Sequence, residues 1–214
     1  MAEFWRKILD ALFPRGITCD GCGRELTDAD DRSLSLCKTC SSVLVNNVLK
    51  PISVLQCDVY SAFEYDSVRD LILRCKDESC PYLAATIAGL TYRFFVEKNI
   101  SADVVCYVPC GKKARERRGY DHMEHIAEEF SARSGLPIVH ALERVKETSD
   151  QTVLTAEERF ENVRDCFVGK IDLTGKTILL LDDLVTTGAT LSAAIHALKT
   201  RSQCKVVCLT LGKA

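Results

Sequence analysis

Along this chain apolar residues recur either at helical spacing or in short unbroken runs, and the two patterns alternate as in an α/β protein. Phe4, Trp5, Ile8, Leu9, Leu12 and Phe13 fall on one helical stripe that stops at Pro14. A connector helix is read over 41–52, broken by Pro51, and a pair of strands over 54–65. Val68, Leu71, Ile72 and Cys75 form the next stripe, with Lys76 at its end, and a longer helix covers 83–95. A buried strand is expected over 103–109. Met123, Ile126, Ala127 and Phe130 then mark the inner side of another helix. Ile178 to Leu181, four apolar residues in a row after the turn-like Leu173-Thr174-Gly175-Lys176, read as a buried strand, followed by a helix from about Thr190. The stretch 143–165 has no clear core face. It reads either as a surface loop with a short helix or as a functional lid, and the two are compatible.

With 214 residues, 47% hydrophobic content and a net charge of -2, the chain can bury one sizeable core plus a small appended module. Residues 1–50 are read as that module and 51–214 as the main domain. No run approaches the roughly twenty apolar residues that span a bilayer. The start lacks the pattern of a secretory signal, so cytoplasmic residence is expected. The first helix could lie on a membrane or a partner, but its polar face carries few basic residues, which favours packing back onto the protein.

Chemistry concentrates in Ile178–Thr190, ILLLDDLVTTGAT. Placed on a strand, a loop and a helix start, Thr186, Thr187, Gly188, Ala189 and Thr190 would cradle a phosphate with hydroxyls and N-terminal amides. The carboxylates Asp182 and Asp183 suit sugar hydroxyls or the waters of a magnesium ion. On a continuing strand only one of the two would face the ligand. The bland alternative is a Rossmann-like strand end, whose glycine placement differs. The thirteen residues resemble the phosphoribosyl pyrophosphate signature of type I phosphoribosyltransferases.

Cys19-x2-Cys22 and Cys37-x2-Cys40, fourteen residues apart, suit a closed tetrahedral zinc site, with Gly21 and Gly23 shaping the first knuckle. Redox pairs are the alternative. The remaining eight of the twelve cysteines read as reduced small hydrophobes, as Cys106, Cys204 and Cys208 do in their apolar runs. Lys112, Lys113, Arg115, Arg117 and Arg118 put five cations into seven residues directly after a strand end. They form a solvated face, a nucleic-acid patch, or charge for a pyrophosphate; the position favours the last, with amides near Cys110 and Gly111 as an anion nest. His122 and His125 lie one turn apart without a further metal ligand at matched spacing.

These pieces in this order resemble the ComF family of amidophosphoribosyltransferase-like competence proteins over nearly the whole chain. The resemblance rests on the four-cysteine module; on Tyr65, Leu73 and Lys76; on the V-P strand end with its basic run into R-G-Y; on Q-T-V-L-T-A-E-E-R-F-E-N-V-R-D-C-F with Gln151, Leu154, Arg159 and Asn162 in place; and on D-D-L-V-T-T-G. The family commonly reads V-P-V-P and R-G-F/Y-N-Q, whereas this chain has Val108-Pro109-Cys110-Gly111 and Arg118-Gly119-Tyr120-Asp121-His122. The resemblance implies a type I phosphoribosyltransferase fold: a mostly parallel sheet flanked by helices, a hood carrying Gln151, Arg159 and Asn162, and a zinc-ribbon appendage. It implies transfer of ribose phosphate from phosphoribosyl pyrophosphate with magnesium to a nitrogen acceptor. Asp182, Asp183 and Lys76 then serve the catalytic centre, and Lys112, Lys113 or Arg115 the pyrophosphate. It also implies the alternative of a non-catalytic module in DNA uptake, with single-stranded DNA or a helicase-like ATPase as partner. Self-association is left open.

Overall fold

The computed structural model describes residues 16–44, 50–76, 80–146 and 165–214. The expected helix over 4–13 and the positions Gln151, Leu154, Arg159 and Asn162 lie outside them. The chain forms two compact units that divide between residues 46 and 47.

In the first unit, two isolated β-bridges, Thr18 with Glu25 and Asp31 with Leu36, flank the cysteine knuckles. A helix, α1 (Lys38–Leu44), follows. It starts at Lys38, where Asp30 accepts the Lys38 amide, rather than at residue 41. Ile52 belongs to a strand and not to the connector helix, because its backbone pairs with Val59. Asp30 also accepts from the Thr27 amide and hydroxyl and from Arg24. The Thr27 and Lys38 amides together hold its carboxyl well below the usual range.

The second unit is built on a five-stranded sheet in the order β1-β2-β7-β6-β3. Its strands are β1 (Ile52–Val54), β2 (Cys57–Glu64), β3 (Val104–Tyr107), β6 (Thr177–Val185) and β7 (Lys205–Lys213). β1 and β2 pair antiparallel around Leu55 and Gln56, so the strand pair expected over 54–65 starts earlier, at Ile52, and every other pairing in this sheet is parallel. Two short antiparallel strands, β4 (Leu142–Arg144) and β5 (Phe167–Gly169), make a separate ribbon on either side of 147–164.

Sequence pattern explains the layers. Ile178, Leu179, Leu180 and Leu181 are all essentially inaccessible, so β6 is covered on both faces, as parallel sheets are. Ile178 and Leu180 pack with Cys106, Cys208 and Val59 against Leu191, Ala194, Ile195 and Leu198 of α6 (Ala189–Arg201). The opposite face meets α2 (Tyr65–Lys76), α3 (Leu83–Glu97) and α5 (His122–Ser134). There the Phe130 ring stands edge-on to Tyr92 and Phe95 at 5.9 and 5.5 Å. Cys106, Cys208 and Cys75 do act as small hydrophobes. Burial pushes the Cys75 and Cys106 thiols up, to about 12 and about 11.

β6 runs past the expected end at Leu181. β3 stops at Tyr107, opposite Leu181, while β7 continues to pair Asp182 with Thr210 and Leu184 with Gly212. Asp182 to Val185 therefore project beyond one neighbour and remain strand because of the other.

Candidate functional site

Three element ends converge on that projection. Lys76, the last residue of α2, sends its ammonium to Asp183 Oδ2 at 3.1 Å. His122, the first residue of α5, places Nε2 3.0 Å from the same oxygen, and its side chain is 5% exposed. Arg118, the last residue of α4 (Lys112–Arg118), lies 3.5 Å from His122 Nδ1 through Nη1.

The short turn between α4 and α5 arranges this meeting residue by residue. Gly119, in the left-handed region at φ 82°, closes α4. The Tyr120 hydroxyl donates to the Cys75 carbonyl in the last turn of α2, at 2.6 Å. Asp121 caps α5 by accepting the Met123 amide, and its other oxygen accepts the Cys110 amide. That second bond engages the Cys110 N–H, one of the two amides expected to form an anion nest.

The two carboxylates differ in character. The Asp183 amide donates to Asp182 Oδ1 at 3.0 Å, so the pair is tied along the strand. Burial opposes ionisation of Asp183, but the Lys76 charge and the His122 hydrogen bond outweigh it and hold this carboxyl well below the usual range. Burial and the adjacent Asp183 charge push Asp182 well above it. Asp183 also raises the Lys76 pKa. In the ligand-free protein Asp183 is therefore the more readily ionised of the two, and Asp182 retains its proton more readily.

Directly after β6, Gly188 adopts φ 77° and starts α6 with no side-chain cap. Thr186 and Thr187 are exposed and Thr190 is half-buried. The Thr187 hydroxyl accepts weakly from the Ala189 amide at 3.4 Å. Hydroxyls and first-turn amides thus gather at one helix start, where anions bind. A Cβ on Gly188 would stand 3.1 Å from Val54 Cγ2. Gly188→Ala is therefore expected to lower stability by about 1–2 kcal/mol in a denaturant titration.

The sequence-nominated cations are distributed. Lys112 pairs with Glu116 at 3.9 Å and Arg115 with Glu124 at 3.1 Å, and α4 buries none of its residues. Lys113 lies on the same helix. His125 stacks obliquely on Tyr120, with centroids 5.3 Å apart, while its neighbour His122 joins the carboxylate pair. Sequence reasoning missed His122. The signal that could have found it is the Gly stop and Asp cap immediately before it, which fix it at a helix start facing a strand end.

In the first unit the Sγ atoms of Cys19, Cys22, Cys37 and Cys40 all lie within 4.8 Å of one another. Cys22 and Cys37 are 3.8 Å apart through sulfur. A tetrahedral zinc with bonds of about 2.3 Å requires an S–S edge of about 3.8 Å, so the four thiols fit that ion. The Cys37 amide points at Cys19 Sγ and the Cys40 amide at Cys37 Sγ, both at 3.3 Å. A Cβ on Gly21 would come within 2.8 Å of Cys40 Sγ, so the knuckle closes only over glycine.

The chain carries a phosphoribosyltransferase domain. Residues 114–213 match the family model described as the phosphoribosyl transferase domain, a span that includes Asp182, Asp183 and the loop to Thr190. The mostly parallel sheet and its helices are the type I phosphoribosyltransferase fold. A search of curated proteins found no match. Among solved structures, the chain is similar to Leishmania donovani UMP synthase, at 19% identity and TM-score 0.41, over 64% of this chain and 23% of that one. It is also similar to an allosteric regulatory enzyme of purine biosynthesis, at 17% identity and TM-score 0.39, over 59% and 26% of the two chains. A hypoxanthine phosphoribosyltransferase from Staphylococcus aureus matches at 14% identity and TM-score 0.37, over 61% and 62%. The matched part is under two thirds of the length of each. Among the described residues, no helix is long and apolar enough to cross a membrane.

Proposed function

We propose that this protein is a ComF-like phosphoribosyltransferase that binds phosphoribosyl pyrophosphate with magnesium and transfers ribose phosphate to a nitrogen acceptor in the cytoplasm. One observation carries the reading: an acidic pair on the projecting end of β6 is joined by a three-residue loop to a helix start rich in hydroxyls. A sugar phosphate has both of the chemistries these groups recognise, an anion at one end and vicinal hydroxyls at the other.

In this reading Thr186, Thr187, Gly188, Ala189 and Thr190 take the 5-phosphate, and Asp182 and Asp183 take the ribose hydroxyls. The oxygen-only donors there suit a hard cation that keeps its waters. Magnesium bound in this way would neutralise pyrophosphate charge. Lys76, with Lys112, Lys113 or Arg115, supplies further positive charge to the leaving group, and Gln151, Arg159 and Asn162 belong to the hood. The bond from ribose C1 to the pyrophosphate oxygen breaks, C1 bonds to the acceptor nitrogen, and that nitrogen loses its proton. Charge held in place before the reaction is what accelerates such a step.

The test is calorimetric titration of magnesium phosphoribosyl pyrophosphate into zinc-loaded protein. Saturable binding is expected, weakened at least about a hundredfold in the double variant Asp182→Asn, Asp183→Asn. Absence of binding by the folded wild type would overturn the reading. Weight would then move to the non-catalytic module in DNA uptake, for which steeply salt-dependent binding of single-stranded DNA is the diagnostic.

A further inference from the structure

We infer that His122 is a positioning residue for this site, acting in one tautomer: its Nε2–H holds the Asp183 carboxylate in the orientation that meets the sugar. The inference rests on the phosphoribosyl reading above and names the device that orients its carboxylate.

The tautomer follows from what surrounds the ring. Nδ1 faces Arg118 Nη1 at 3.5 Å, and a guanidinium only donates, so the nitrogen opposite it presents a lone pair. The nearest carboxylate to Nδ1, Asp121 Oδ1, is 3.9 Å away, too far for a hydrogen bond, and accepts the Met123 amide instead. The ring proton therefore sits on Nε2 and is donated to Asp183 Oδ2 at 3.0 Å. Lys76 donates to the same oxygen at 3.1 Å.

Two donors on one oxygen fix the carboxylate's rotation. Oδ2 is turned toward the helices, and Asp183 Oδ1 has no hydrogen bond among the described residues, as Asp182 Oδ2 has none. These are the oxygens left to meet ligand hydroxyls or cation-bound water. Lys76 alone would not set this rotation, because an ammonium on a flexible stem donates in any direction, whereas the imidazole is 95% enclosed and anchored at a capped helix start. Arg118 backs the imidazole and Tyr120 ties the same turn to α2, so the carboxylate's orientation is set by the α4–α5 turn.

Two measurements test this. In wild-type protein without ligand, long-range proton–nitrogen correlation of His122 should show the proton on Nε2; a proton on Nδ1 would overturn the inference and leave the phosphoribosyl reading untouched. In calorimetric titration with magnesium phosphoribosyl pyrophosphate, His122→Leu and His122→Asn should each lose at least about tenfold in affinity. His122→Gln, whose amide reaches the position of Nε2, should stay within about threefold of wild type. Asn, one bond shorter, cannot reach, so rescue by Gln alone separates orientation from mere filling of space. Equal affinity in the Leu variant, or no rescue by Gln in a protein that melts like wild type, would overturn the role of His122 alone. A wild type that does not bind would overturn the functional reading and this role with it.

Discussion

Asp183→Asn is expected to destabilise the ligand-free protein by about 2–3 kcal/mol, whereas Asp182→Asn, one residue away, is expected to leave it as stable or more so. On the proposed reading both should also weaken binding of phosphoribosyl pyrophosphate. The contrast follows from where the charge resides. Asp183 is 8% exposed and answers Lys76 and His122. Removing its charge leaves an ammonium facing an amide, a change that costs about 3–5 kcal/mol in a fully buried pair. The lower figure applies because the Lys76 side chain is 38% exposed and keeps solvent. Asp182, by contrast, is pushed well above the carboxylate range by burial and by its neighbour's charge, so its ionised form is disfavoured by the fold. Asn keeps an oxygen for the Asp183 amide and removes that penalty.

The pH dependence separates the two with opposite signs. Asp183 has a depressed folded value, so its contribution is present above the unfolded value of about 3.9 and is lost as pH falls from there. Asp182 has a raised folded value. Its protonated form favours the fold, and wild-type stability declines on its account as pH rises above about 3.9. Urea titrations across that range should show the advantage of Asp182→Asn over wild type growing as pH rises, and the deficit of Asp183→Asn shrinking as pH falls below about 3.9. Equal loss of stability in both variants at neutral pH would refute this division of charge.

What the sequence disclosed, and what it hid, divides along the range of the forces involved. The run from Ile178 to Leu181 is legible because a strand covered on both faces must be apolar throughout. Its continuation through Asp182 to Val185 is not legible, since it depends on pairing with β7, a partner about thirty residues away whose register no local pattern announces. The stripes of Val68, Leu71, Ile72 and Cys75 and of Met123, Ile126, Ala127 and Phe130 found their helices because one face of each meets the core. The basic run shows the limit of reading charge alone. Composition marks five cations as equivalent, yet Lys112 and Arg115 meet glutamates on the surface while Arg118 backs the imidazole at the acidic pair. A histidine at a helix start carries no periodic signal of its role, and His122 gains its meaning only when β6 is laid across it.

The largest expected effect lies in the first unit. Among its described residues the buried apolar side chains are few, chiefly Leu26, Leu34, Leu36 and Leu44, with Cys19 and Cys37 buried beside them. A four-thiol module of this size is expected to depend on its metal, since structural zinc in such modules contributes about 10–16 kcal/mol of folding free energy at neutral pH. The Cys40 amide, acting against burial, draws the Cys37 thiol down to about 6, which favours the thiolate a metal requires. Protein purified without added zinc should therefore contain about one zinc per chain. Chelation, or Cys37→Ser, should strip amide protection from the knuckles around Gly21 and from α1. The core amides of β6 and β7 should keep theirs, because the sheet's hydrogen bonds close within the second unit. Protein that arrives without metal, with four freely reactive thiols and the knuckle amides still protected, would show that the module folds by other means.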